Sequence, residues 1–131
     1  MKKVSIPSIY EEDIIGFFYD GVKVQIKYNY KETIINLNFN YVYHFDFCEF
    51  DYIKDINWEF GLIEYHKSCL LKDFFSGIPS QKISYAFGGE IEKIRHYKLV
   101  IDDVGIYNII CKEFFFRERR TLGDKKSINV D

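Results

Sequence analysis

Residues 14–47 decide the fold, and they read IIGFFYDGVKVQIKYNYKETIINLNFNYVYHFDF. Apolar and polar residues alternate along most of this stretch, which is the pattern of strands with one buried face. Asp20-Gly21 interrupts the alternation with a dipeptide typical of a tight β-hairpin. Lys31 and Glu32 form a second turn between two further alternating runs. The stretch therefore predicts an antiparallel meander of three strands.

Each strand of this meander is expected to bury an aromatic-rich face. The second strand places on that face Val22, Val24, Ile26, Tyr28 and Tyr30. The third strand places there Ile35, Leu37, Phe39, Tyr41 and Tyr43. Lysine, glutamine and asparagine residues fill most of the alternate positions, so the opposite face is expected to be wet.

A short strand and a helix are predicted downstream. GLIEY, residues 61–65, is typical of a short strand. Ser68 suits the N-cap of a helix that ends at Gly77. The apolar stripe of this helix consists of Leu70, Leu71, Phe74 and Phe75. We expect the stripe to pack across the open face of the sheet and close its core.

Residues 94–116, IRHYKLVIDDVGIYNIICKEFFF, predict a second hairpin with its turn at Asp103-Val104-Gly105. Its second arm is apolar on both faces, as expected of a central strand. Residues 48–59 lose the alternation, and their pattern is compatible with either a short helix or a loop. The predicted fold class is α+β, mainly antiparallel β with about six strands and one short helix.

Length and composition indicate one domain. The chain has 131 residues, enough to bury a core without disulfides, and 19% of them are aromatic, which suits a sheet. We predict a single domain over residues 1–131, with an ordered core at about 13–116. Residues 117–131 are charged and unpatterned, which predicts a mobile tail.

Charge and cysteine usage narrow the partners and the compartment. A net charge of −2 and a pI near 5.9 argue against direct binding of nucleic acid. Pro7 and an acidic run precede any long apolar stretch, so neither a secretory leader nor a membrane span is expected. The three cysteines lie far apart among apolar neighbours, as in cytosolic proteins. The expected location is the cytoplasm.

Residue patterns for catalysis, metal binding or cofactors are weak. No phosphate-binding glycine loop is present. The candidate metal pairs are His44 with Cys48, His66 with Cys69, and His96 with Cys111. None predicts the four converging donors of a zinc site. Cys69, His66 and Asp73 form a nucleophile and base set in name, without any sign of an oxyanion hole. We therefore expect no enzyme activity, no metal and no cofactor.

The segment between His44 and Glu64 combines acids with aromatic side chains. Its acids are Asp46, Glu49, Asp51, Asp55, Glu59 and Glu64, against the single base Lys54. A solvated face is one interpretation. The other is a docking surface, where acids steer a basic protein and aromatic rings anchor it. The predicted partner-binding residues are Glu49, Asp51, Tyr52, Asp55, Trp58 and Glu59.

Three segments together, FNYVYHFDFCEFDY, GLIEYHKSCLLKDFF and RHYKLVIDDVGIYNIICKEFFF, resemble immunity proteins of bacterial polymorphic toxin and contact-dependent inhibition systems. The resemblance covers about residues 14–116 and includes no catalytic motif. It implies an antitoxin that binds the C-terminal domain of a cognate toxin, often a basic nuclease, and occludes its active site. It identifies no site residue, so the partner-binding residues above follow from charge and aromaticity alone.

Two other classes stay open. Aromatic inner faces suit a small-ligand-binding β-barrel or sandwich, which would enclose a cavity of several hundred Å³. An enzyme of unrecognised type would need titratable groups that converge in a cleft. A homodimer is also open.

Replacing Asp51, Asp55 and Glu59 with lysine should weaken partner binding without unfolding the protein, because it reverses the charge that attracts a basic partner. Calorimetric titration with the partner and a thermal melt measure the two effects. Unchanged affinity would show that the acidic segment is not the interface.

Overall fold

The computed structural model describes residues 1–49, 60–82 and 86–120. They form one seven-stranded antiparallel sheet and one α-helix, so the α+β prediction is confirmed. The strands are β1 Lys2–Val4, β2 Ile14–Tyr19, β3 Val24–Tyr30, β4 Thr33–Glu49, β5 Gly61–Tyr65, β6 Arg95–Ile101 and β7 Gly105–Arg120. The helix is α1, Cys69–Ser76. Short 3-10 helices span Glu11–Asp13, Ser80–Lys82, Ala86–Gly89 and Ile91–Lys93.

The spatial order of the strands is β1-β5-β6-β7-β4-β3-β2. The predicted meander is present as β2, β3 and β4. At its first turn, the Asp20 carboxylate accepts hydrogen bonds from the backbone N–H groups of Val22 and Lys23, at 2.9 and 2.8 Å. Gly21 has a φ of +91°, a conformation that glycine adopts without strain. The predicted second turn follows at Lys31, with a φ of +54°.

Two irregularities in the middle of β4 correct the predicted faces. Tyr41 has a φ of +56°, and the register with β7 shifts between Val42 and His44. Val42 therefore takes the buried position predicted for Tyr41, whose side chain is exposed. The register shift after Val42 undoes the change of face at Tyr41. Phe45 therefore lies on the inner face again. Tyr43 packs with the helix on the outer face, so its predicted position was also wrong.

The sheet curls over its inner face. In a flat sheet, β2 and β7 would lie about 14 Å apart, because β3 and β4 separate them. Yet the rings of Phe17 and Tyr107, on these two strands, stack at 5.5 Å. The main core lies inside this curl, and its largest fully buried side chains include Tyr28, Phe39, Leu37, Leu99 and Ile109.

Residues 5–13 cross the inner face, because they join β1 and β2 at opposite edges of the sheet. The Tyr28 hydroxyl donates a 2.6 Å hydrogen bond to the Pro7 carbonyl, and Ile9 is buried in the core. The lack of periodicity over residues 1–12 predicted only a lead-in or a short capped turn, and the whole chain was predicted to have about six strands. β1 is the additional one, because it pairs with β5.

Helix α1 packs on the outer face, not on the aromatic-rich face that it was predicted to close. The Ser68 hydroxyl caps it, accepting a 3.1 Å hydrogen bond from the Leu71 N–H. Leu71 then packs in a small second cluster with Ile94 and Ile110. The inner face has no room for the helix, because the curl and residues 5–13 already cover it.

β7 is central, as predicted, with β6 on one side and β4 on the other. It extends to Arg120, because Thr33 to Asn36 of β4 pair with Arg120 to Arg117. Residues 117–120 of the predicted mobile tail are therefore a strand, and residues 121–131 lie outside the described residues. Within the described part of the chain, no helix is long and apolar enough to cross a membrane.

Replacing Gly105 with alanine should destabilise the protein by about 2–4 kcal/mol, because a Cβ would collide with the Cys48 carbonyl oxygen and φ is +147°. Gly16→Ala is the matched control, since no atom lies within 4 Å of its Cβ position. Urea unfolding measures both variants. Equal stabilities would contradict the assigned packing of β7 against β4.

Candidate protein-binding site

An aromatic cluster lies where β2 folds over β4 and β7. We use this name for Phe17, Tyr19, Phe45, Phe47 and Tyr107. Their rings form a connected set, with contacting centroids 4.6 to 5.9 Å apart. Phe17, Tyr19 and Phe47 nevertheless remain 42%, 46% and 40% exposed. Packed but exposed aromatic rings are the usual anchors of protein interfaces.

The local sequence explains why these rings meet. Phe17 and Tyr19 pair with Ile26 and Val24, so they lie on the inner face of β2. Phe47 pairs with Tyr107 across β4 and β7. The two irregularities in the middle of β4, at Tyr41 and between Val42 and His44, return Phe45 and Phe47 to its inner face.

Acidic residues outnumber basic ones near the aromatic cluster, where Lys23 lies beside Asp20. Asp20 follows Tyr19 directly, and the exposed Glu49 follows Phe47 by two residues. Glu49 pairs with Gly105, next to the exposed Asp102 and Asp103 of the β6–β7 turn. By strand alternation, the described inner-face positions of β2, β3, residues 42–49 and residues 105–111 carry no lysine or arginine. The surface therefore suits a positively charged partner.

One predicted partner-binding residue lies at this cluster. Glu49 is the last residue of β4, exposed at the rim. The other predicted residues, Asp51, Tyr52, Asp55, Trp58 and Glu59, lie outside the described residues. So do residues 50–59 of the segment for which a helix and a loop were both open, whereas Cys48 and Glu49 belong to β4.

Sequence reasoning missed Phe17, Tyr19 and Tyr107 as site residues. The sequence predicted one buried face for β2 and a central strand, apolar on both faces, for β7, so exposed rings were expected on neither strand. A signal was present in IIGFFY, residues 14–19, where large apolar residues occupy both faces without any charge. On an edge strand, such a run leaves rings in contact with solvent.

A second group of polar residues forms a hydrogen-bonded chain on the outer face. Its links are Ser68 Oγ to His96 Nδ1 at 2.9 Å, His96 Nε2 to Asn108 Oδ1 at 2.8 Å, Asn108 Nδ2 to Asp46 Oδ1 at 3.0 Å, and His44 Nε2 to Asp46 Oδ2 at 2.6 Å. The Asn108 amide orientation makes His96 Nε2 a donor, so Nδ1 accepts from the Ser68 hydroxyl. Every donor in the chain points toward Asp46.

This chain joins the helix to the sheet. Burial lowers the pKa of His96, which keeps the ring neutral at pH 7. Ser68 also accepts the Leu71 N–H, so its oxygen is held in the helix cap. The Ser68 oxygen therefore contacts both the His96 ring and the first turn of α1. A cap and a neutral, hydrogen-bonded histidine stabilise the contact between α1, β6, β7 and β4.

The candidate metal pairs do not gain further donors among the described residues. His96 and Cys111 lie on opposite faces, because Cys111 pairs with Arg95. Burial raises the pKa of the Cys111 thiol to about 12. His66 lies 3.5 Å from Glu64, between Nε2 and Oε1. Among residues 1–49, 60–82 and 86–120, no three His, Cys, Asp or Glu residues are grouped to hold a metal ion.

The described grooves lie at the border of the main core or outside it. One of about 480 Å³ borders residues 3–10, and one of about 450 Å³ lies between α1 and β6. Neither is lined by Tyr28, Phe39 or Leu99, which are fully buried in the curl. These inner side chains therefore pack as a core.

The chain matches no protein-family model, no curated protein and no solved structure.

Replacing Asn108 with alanine should destabilise the protein by about 1–3 kcal/mol, because it removes the acceptor of His96 and a donor to Asp46. Asn29→Ala, at an exposed position of β3, is the control and should change stability by less than about 0.5 kcal/mol. Chemical denaturation measures both. Equal effects would mean that the outer-face chain does not stabilise the fold.

Proposed function

We propose that this chain is an immunity protein, which binds a cognate toxin domain in the bacterial cytoplasm and neutralises it by covering its active site. The observation that supports this function best is the exposed aromatic cluster with its acidic rim. The proposed partner is the C-terminal domain of a toxin from a polymorphic or contact-dependent inhibition system. A basic nuclease domain fits this surface by charge.

The aromatic cluster supplies the affinity in this proposal. Phe17, Tyr19 and Phe47 are held by neighbouring rings, so a partner would bury them without paying to order them. Buried aromatic anchors commonly contribute about 2 kcal/mol or more each to an interface.

In this proposal the acids raise the rate of association with the toxin domain and make the binding specific for a cationic surface. Asp20 and Glu49 lie one and two residues from Tyr19 and Phe47, and Asp102 and Asp103 precede Gly105, which pairs with Glu49; all four acids are exposed. Such a rim accelerates encounter with a cationic surface and discriminates against acidic ones. An inhibitor of this kind needs no reactive group, because covering the toxin's substrate site is sufficient.

The test uses the protein encoded by the adjacent reading frame, co-expressed and then titrated against the purified chain. Phe47→Ser should weaken binding by about 30-fold, since it removes an exposed anchor. It should also reduce the survival of cells that produce the toxin.

Tyr41→Ser is the matched control. Tyr41 is 52% exposed, but its ring faces Lys112 on the other side of the bend. Its replacement should leave affinity and survival unchanged. If the adjacent product does not bind the wild-type chain, the immunity function fails. If both variants bind as tightly as the wild type, the aromatic cluster is not the interface.

A further inference from the structure

The two edges of the sheet differ in how they are protected. β1 is three residues long, and two of them are Lys2 and Lys3, which discourage the approach of another strand. β2 is six residues long and contains no charged residue. Large apolar side chains are exposed along it, on both faces: Ile15, Phe17, Phe18 and Tyr19. Among the described residues, only β3 pairs with β2.

The backbone of β2 presents hydrogen-bonding groups at this edge. The Asp20 N–H donates to the Lys23 carbonyl at 3.3 Å, which makes this turn pair a hydrogen-bonded pair. Hydrogen-bonded and non-bonded pairs alternate along an antiparallel ladder. Tyr19 with Val24 and Phe17 with Ile26 are therefore non-bonded pairs. The N–H and C=O groups of Tyr19 and Phe17 consequently point away from β3.

The charge pattern identifies what can pair there. The uncharged strand is bounded by Asp20 at one end and by Glu11, Glu12 and Asp13 at the other. An added strand with lysine or arginine at both ends would meet opposite charge at both. A second copy of this chain, paired antiparallel, would instead bring Asp20 toward the acidic end of its partner. Like charges at both ends disfavour that dimer.

We infer that the outer edge of β2 binds an extended segment of the partner by strand addition, and that this segment has an apolar centre and basic flanks. The inference rests on the proposed function, because it specifies how the toxin domain is held. Phe17 and Tyr19 belong to both the free edge and the aromatic cluster. The added strand and the rings would therefore form one continuous interface. The bulge between Ile14 and Gly16 limits the regular ladder to Gly16–Tyr19.

The decisive comparison is Tyr19→Pro against Tyr19→Ser. Both variants lose the ring, but only proline lacks the N–H that points to the free edge. We expect Tyr19→Pro to bind the adjacent gene product at least about tenfold more weakly than Tyr19→Ser. Circular dichroism and thermal melts establish that both are folded. If the proline variant is not, Phe17→Pro and Phe17→Ser repeat the comparison. Equal affinities within a folded pair overturn strand addition while leaving the immunity function intact.

A peptide probe tests the same edge without the toxin. The capped, fluorescein-labelled peptide KKVTVFVTKK should bind the wild-type chain in fluorescence anisotropy. EEVTVFVTEE, and a KKVTVFVTKK peptide with N-methylated alternate amides, should each bind at least about tenfold more weakly. The quadruple variant Glu11→Gln, Glu12→Gln, Asp13→Asn, Asp20→Asn keeps the turn acceptor at position 20 but removes the acids at both ends of β2, so it should lose most of the preference for lysine. Absent binding of the lysine peptide, or equal binding of all three, overturns the inference even if the toxin binds.

Sedimentation velocity tests whether a second copy of this chain, instead of a partner segment, occupies the β2 edge. We expect a monomer at tens of micromolar. A wild-type dimer that Tyr19→Pro converts to monomer would assign the β2 edge to a second copy and overturn the inference.

Discussion

The pairing of β4 with β7 is the interaction on which the rest of the structure depends. The ladder runs from Thr33 opposite Arg120 to Glu49 opposite Gly105. The paired residues lie about 60 to 90 positions apart in the sequence. Forming the ladder therefore costs loop-closure entropy, which its hydrogen bonds and side-chain packing have to offset. Each end then supports a different neighbour, because β3 pairs with Thr33–Phe39 and β6 pairs with Gly105–Cys111. Losing this ladder would separate the two predicted hairpin regions.

The offset of these neighbours gives the sheet its curl. β3 lies beside one half of β4, and β6 lies beside the half of β7 that pairs with the other half of β4. The bend at Tyr41 to Tyr43 lies between them and turns the two halves toward each other. β2 is thereby brought over β7, and its rings reach Phe45 and Tyr107. The aromatic cluster is thus a product of curvature, and its exposed rings lie at the open side of the curl.

The two faces of the sheet have different chemistry. The outer face holds α1 through Leu71 and through the hydrogen-bonded chain from Ser68 to Asp46. Its buried histidine is neutral and fully bonded, which suits a structural role. The inner face is apolar and ends in exposed rings among acids. The proposed binding of a toxin domain draws on this second feature, the exposed rings and the acids near them.

Local sequence patterns predicted six of the seven strands, the turns between paired strands and the helix cap. Alternation, Asp20-Gly21, the Asp103–Gly105 turn and Ser68 act over a few residues, so their effects were predictable. The sequence also predicted an acidic docking segment between His44 and Glu64. Of its predicted binding residues, Glu49 lies at the candidate site. Only the tertiary structure decided that α1 covers the outer face, that β1 adds a seventh strand, and that Phe17 meets Tyr107. These features depend on long-range register and sheet curvature, which no local periodicity encodes.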